Sequence, residues 1–186
     1  MSVRVLVIPE DPTHNGYILK PLVGMVLADV GKSTAKVTLL TNPRLRGYDQ
    51  ALDAIRNNLA SKYGFFDLWL FFPDADRATA ASMQALEDDL AQQGVSLLCC
   101  SAIPEVEIYA CVADRSTVGL SWAEVRTHAR MKEEVFAPLL DRHGDPRRPG
   151  GGRREMTVRS IANSSLFFAL CPEVAELRNR IRTTLN

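Results

Sequence analysis

At 186 residues, with 46% apolar and 24% charged residues, the chain has the composition of a folded protein large enough for one ordinary core. Lysine plus arginine equals aspartate plus glutamate at 22 each, which excludes a global field drawing in nucleic acid or an anionic membrane, so such contacts must be local. No apolar run approaches the roughly 20 residues of a membrane span.

The chain opens Met-Ser-Val-Arg-Val-Leu-Val-Ile-Pro, without the pattern of a secretory leader, and a cytoplasmic protein is expected. Residues 3–8 read as a first strand. Residues 15–29 carry Ile18, Leu19, Leu22, Met25 and Val26 at helical spacing, with Gly31 as a stop. A short strand over 36–40 is followed by a helix over 48–62 with Leu52, Ile55 and Leu59 inward. Residues 66–72 form a third strand, apolar throughout and therefore expected between two neighbours. A helix over 78–93 turns Met83, Leu86 and Leu90 inward and Glu87, Asp88 and Asp89 outward. Residues 95–100 are the fourth strand, and a further helix begins with Pro104 in its first turn.

Alternating strands and helices predict an α/β fold, a mostly parallel four-stranded sheet with helices on both faces. Beyond residue 114 the strands stop. Helices are expected over 122–140, 157–170 and 172–185, so the chain divides into a β/α core, 1–114, and a helical extension, 115–186. A Gly/Arg-rich stretch at about 142–156 interrupts the extension and is expected to be mobile when unliganded. The four cysteines lack Cys-x-x-Cys spacing and the three histidines stand singly, so buried reduced thiols are expected in place of a zinc site.

Carboxylates follow three of the strands. Glu10 and Asp11 follow the first, Asp74 and Asp76 the third, and Glu105 and Glu107 the fourth. A parallel sheet brings all of these ends to one edge, where open α/β sheets bind ligands. Crowded carboxylates cannot all remain ionised without a cation. Oxygen donors with no organised His or Cys suit Mg²⁺ or Mn²⁺, which clamp phosphate oxygens and activate water. The plainer reading is solvated loop ends, with Asp76 capping the next helix.

The order strand-Glu, then strand-Asp-x-Asp, resembles the TOPRIM domain shared by topoisomerases, bacterial primases and OLD-type nucleases. Glu10 after Val-Leu-Val-Ile-Pro matches its first acid, and Asp74 and Asp76 after Leu-Trp-Leu-Phe-Phe match its Asp-x-Asp. The segment Ile-Pro-Glu-Val-Glu-Ile-Tyr-Ala is similar to small stand-alone TOPRIM-like proteins often encoded beside ATPases in antiphage defence, with Glu107 the better match to their Glu. TOPRIM domains usually place Gly after the first Glu; here Asp11-Pro12 follows, and Asp11 stands as an extra ligand.

The resemblance covers residues 3–113. It implies a Mg²⁺- or Mn²⁺-dependent nuclease cutting DNA or RNA, with an ATPase companion and self-association as a homodimer as further expectations. Glu10, Asp74 and Asp76 would hold one metal, and Glu107 with Asp11 or Glu105 a second. Lys132 corresponds to a basic residue that assists cleavage, and Arg77, Arg147, Arg148, Arg153 and Arg154 are the candidate nucleic-acid contacts. Three alternatives remain open. They are a phosphoacceptor receiver domain centred on Asp74, a glycosyltransferase Asp-x-Asp, and a non-catalytic regulatory subunit of an ATPase complex.

Overall fold

Each short apolar run becomes a parallel strand in the computed structural model, which describes residues 2–186. β1 (Arg4–Pro9), β2 (Lys36–Leu39), β3 (Leu68–Phe72) and β4 (Leu97–Cys99) form one all-parallel sheet in the order β2-β1-β3-β4. β1 and β3 lie inside the sheet, and every residue of β3, with all of β1 after Arg4, is buried. β2 is an edge strand and alternates exposed Lys36 and Thr38 with half-buried Val37 and Leu39.

The period-two alternation sorts side chains onto two cores. Val5, Val7, Leu68, Leu70, Phe72 and Leu98 face one layer of helices; Leu6, Ile8, Trp69, Phe71, Leu97 and Cys99 face the other. The second layer holds α2 (Tyr48–Asn57), α3 (Leu59–Tyr63) and α4 (Ala80–Gln92). The first holds α1 (Gly16–Asp29), α5 (Ile108–Cys111) and the later elements. These are α6 (Trp122–Arg126), a π-helical turn (Lys132–Phe136) running into α7 (Ala137–His143), α8 (Arg153–Ile161), α9 (Ser164–Leu170) and α10 (Pro172–Leu185). One continuous apolar cluster joins Ile18, Leu22 and Val26 of α1 to Met156, Phe167, Val174 and Ile181 of the C-terminal helices. Among the described residues, no helix is long and apolar enough to cross a membrane.

The structure corrects the expected elements at five places. The helix over 48–62 is broken at Asn58 into α2 and α3. Pro104 does not open a helix: residues 103 and 104 form a bend, 106 and 107 a turn, and α5 begins at Ile108. The helix over 157–170 is two, because Asn163 caps α9 by accepting the Leu166 N–H at 3.0 Å. The Gly/Arg stretch is structured. Gly150, Gly151 and Gly152 take φ of 74°, 64° and 90°, and a Cβ at Gly152 would strike the backbone of Gly144 and Asp145. α8 follows at once from Arg153.

The fifth correction is Glu87, which is buried on the β4 side of α4. The Cys99 N–H, on the free edge of β4, donates to Glu87 Oε1 at 2.7 Å, and Arg180 Nη1 of α10 donates to the Cys99 carbonyl at 3.2 Å. Glu87 and Arg180 also pair with each other, so one charge pair satisfies both outward backbone groups of Cys99. Glu87→Ala is expected to cost about 2–4 kcal/mol by stranding Arg180 and the Cys99 amide. Glu87→Gln is expected to cost about half as much, and urea unfolding of the two variants checks the difference.

Candidate functional site

From β1 the chain steps outward to β2 and then returns to the opposite side of β1 as β3. The crevice between the carboxyl ends of β1 and β3 is therefore the point where the winding reverses, the place where such sheets receive ligands. Glu10 directly follows β1, and Asp74 stands two residues beyond β3. Both loops are tied down. The Glu10 carbonyl accepts from the Gly47 N–H at 3.2 Å. Ala75 N–H is shared between the carbonyls of Ala102 (3.0 Å) and Pro104 (3.1 Å), and Ala102 N–H reaches the Pro73 carbonyl at 2.8 Å. These hydrogen bonds tie the loops after β3 and β4 to each other.

The carboxylates on this edge act on one another. Burial pushes Asp74 up to about 7, with the charges of Glu10, Glu107 and Glu105 adding to the rise and the Val106 N–H, 3.2 Å from Oδ1, opposing it. Burial also raises Glu10; the Asp74 amide opposes, Asp76 adds to the rise and Arg77 offsets it. Glu105 is raised by burial and then by Glu107. Glu107 is 1% exposed, and its Oε1 lies 3.0 Å from Lys132 Nζ without an aligned hydrogen bond. Partial burial pulls Lys132 down, but Glu107, Glu105 and Asp74 outweigh it and hold the ammonium above its ordinary range.

Lys132 is the first residue of the π-helical turn, whose wider backbone often marks functional positions. Glu10 Oε1, Ser101 Oγ and Glu107 Oε1 are buried side-chain oxygens without a hydrogen-bond partner. A cleft of about 400 Å³ on the same edge is lined by Asp74, Asp76, Pro104, Glu105, Thr127 and His128. Ser101 and His128 carry no motif in the sequence; the only signal for Ser101 is its place just after a strand.

Other candidate residues lie apart from this centre. Asp11 Oδ1 accepts its own loop's Thr13 N–H at 2.7 Å; although burial works to raise it, the Thr13 hydrogen bonds with His14 and Lys132 hold it below the usual carboxylate range. Asp76 is exposed at the rim, 3.7 Å from the exposed Arg77. Arg147 and Arg148 both pair with Asp145, and Arg148 also with Glu155. Arg153 donates to the Gly150 carbonyl and lies over the Phe136 ring, and Arg154 is exposed. Among the described residues, no three Asp, Glu, His or Cys side chains are drawn together tightly enough to enclose a metal ion. The carboxylates line the crevice and do not close on one point.

No protein-family model, curated protein or solved structure matches the chain.

The raised Asp74 has a pH signature. Between its ordinary 3.8 and about 7 the folded chain holds a proton that the unfolded chain releases. The associated stability is complete below the lower value and is lost as pH rises through the upper one. Asp74→Asn cannot ionise. It is expected to match the parent protein near pH 4 and to exceed it at pH 8 by on the order of 2 kcal/mol, read from urea midpoints at the two pH values.

Proposed function

We propose that the chain is a divalent-metal-dependent nuclease, with the crevice between β1 and β3 as its centre. The observation that carries this reading is the crowding of Glu10, Glu105 and Glu107 charge about the part-buried Asp74, beside buried Glu10 and Glu107 oxygens that lack hydrogen-bond partners, with Lys132 against Glu107 as the counter-charge. An excess of carboxylate oxygens beside a single ammonium fits a hard divalent cation such as Mg²⁺ or Mn²⁺. Glu10 and Asp74 would hold the ion, with Glu107 behind them and Asp76 and Glu105 at the rim. A bound ion supplies Lewis acidity towards a phosphoryl oxygen and a more acidic water.

The chain's own residues do the rest. Buried Glu107 fixes the Lys132 ammonium at the mouth of the crevice, where its charge offsets the negative charge that develops on a phosphate under attack. The sequence resemblance to TOPRIM nucleases, through Glu10, Asp74 and Asp76, points to the same chemistry. The ATPase companion and the role in antiphage defence enter on that resemblance alone.

A non-catalytic reading has one observation in its favour: Lys132 already neutralises the most buried carboxylate, as an internal cation would. The two readings part on metal. A nuclease is expected to cut plasmid, single-stranded DNA or tRNA in Mg²⁺ or Mn²⁺. It should lose on the order of 100-fold activity in Asp74→Asn or Glu10→Gln, and Mn²⁺ should raise the melting temperature of the parent but not of the double variant. Equal cleavage by the parent and the double variant, or no cleavage with either ion, would remove the nuclease reading.

A further inference from the structure

Most arginines of this chain are already engaged by carboxylates: Arg77 by Asp76, Arg147 and Arg148 by Asp145, Arg159 by Asp114, Arg180 by Glu87. Arg44 and Arg46 differ. Among the described residues, neither has a carboxylate within the 4.0 Å of an ion pair, and both are exposed. They flank Leu45, which is 4% exposed and packed into the core with Trp69 and Phe71, so the segment is pinned while its two guanidinium groups face outward. Among the described residues Arg115, Arg142, Arg153 and Arg154 also lack a carboxylate partner, but Arg115 and Arg153 donate to the Val112 and Gly150 carbonyls, and none of the four lies on a loop that directly follows a strand.

The place of Arg44 and Arg46 is what gives them meaning. Their loop joins β2 to α2 at the carboxyl edge of the sheet, and its last residue, Gly47, donates its N–H to the Glu10 carbonyl at 3.2 Å. Arg44 Nη2 crosses to the loop after β1 and donates to Thr13 Oγ1 at 2.7 Å. The two loops border an open recess of about 280 Å³ lined by Pro12, Thr13, Thr41 and Arg44. Its polar side chains offer the remaining guanidinium N–H groups and two hydroxyls, with no carboxylate in the lining. Asp11 is turned onto the Thr13 amide, and Asp49 and Asp53 line a second recess on the other side of Arg44, which lines both without an ion pair to either aspartate.

We infer that Arg44, with Thr13 and Thr41, forms a phosphate subsite that seats the backbone of a nucleic-acid strand beside the crevice, and that exposed Arg46, two residues along the same loop, meets a second phosphate outside the recess. This rests on the nuclease reading for what happens next to the subsite, but the binding itself does not. A carboxylate-lined centre in a chain of zero net charge repels a polyanion, so a substrate strand needs local cations to hold it there. Planar guanidinium groups bind phosphate oxygens in pairs, and threonine hydroxyls add to backbone contacts without reading sequence. The subsite therefore fits strand recognition that is independent of base.

The test is fluorescence anisotropy of labelled single-stranded DNA, duplex DNA and RNA with the full chain in EDTA, where metal-dependent cleavage is stopped. The parent protein is expected to bind at least one of these. Arg44→Ala/Arg46→Ala should raise Kd about 10-fold and reduce the slope of log K against log salt by between about 1 and 2, as expected for two lost phosphate contacts. Arg44→Lys/Arg46→Lys should recover part of the loss, and Arg56→Ala/Arg182→Ala, on arginines paired with Asp89 and Asp29, should leave the salt slope unchanged.

Unchanged Kd and slope in the Arg44/Arg46 variant, with its melting temperature intact, would overturn the subsite. So would a parent that binds none of the three probes, or Arg44-dependent binding of inorganic phosphate without binding of any strand. Arg44-dependent strand binding with no cleavage in any metal would sustain the subsite and overturn the nuclease reading. Metal-dependent cleavage with Arg44-independent binding would do the reverse.

Discussion

A strand buried on both faces has no room for a polar side chain, and that constraint shapes the rest of this molecule. Every residue of β3 is buried, as is nearly all of β1, so any chemistry must wait until the chain leaves the sheet. Because all four strands run in the same direction, they leave it along one edge. The interior positions are taken by Leu, Val, Ile, Phe and Trp for packing, and the first residues released from that demand are Glu10 and Asp74. The apolar runs and the acidic edge are thus two results of one arrangement.

On that edge the balance between burial and charge sets the character of the site. Lone carboxylates at a surface would ionise freely; here burial is the first cause of the rise in Glu10, Asp74 and Glu105, and mutual repulsion adds to it. Lys132 relieves part of the strain, and it arrives from the helical half of the chain, through a π-helical turn that the strand-helix core does not contain. The C-terminal helices are therefore partners in the electrostatics of the crevice as well as a cover for one face of the sheet.

The sequence carried the fold well because the signals were local and redundant: short apolar runs, helical spacing, and glycines at φ of 78° (Gly31) and 76° (Gly94). It carried the convergence of Glu10 and Asp74 too, since parallel strands must share an edge. What it could not carry were tertiary partners. Glu87 sits among acids on a helix and reads as a solvent-facing residue until Arg180 and the Cys99 amide arrive from 93 and 12 residues away. Arg147 and Arg148 read as part of a free basic loop because their partners Asp145 and Glu155 could not be assigned from spacing. Arg44 and Arg46, with no neighbouring basic run, gave no signal at all.

The edge strands also differ in a way that bears on assembly. On β4 the outward amide and carbonyl of Cys99 are both occupied by Glu87 and Arg180, so another strand would have to break a charge pair before it could add there. Among the described residues, no side chain hydrogen-bonds to the outward amides and carbonyls of β2, and Lys36 and Thr38 are exposed on one of its faces. The sheet is therefore polarised across its width as well as along its strands. Growth of the sheet, whether as a functional contact or as misassembly, is directed to the β2 side, where a single lysine is the main deterrent.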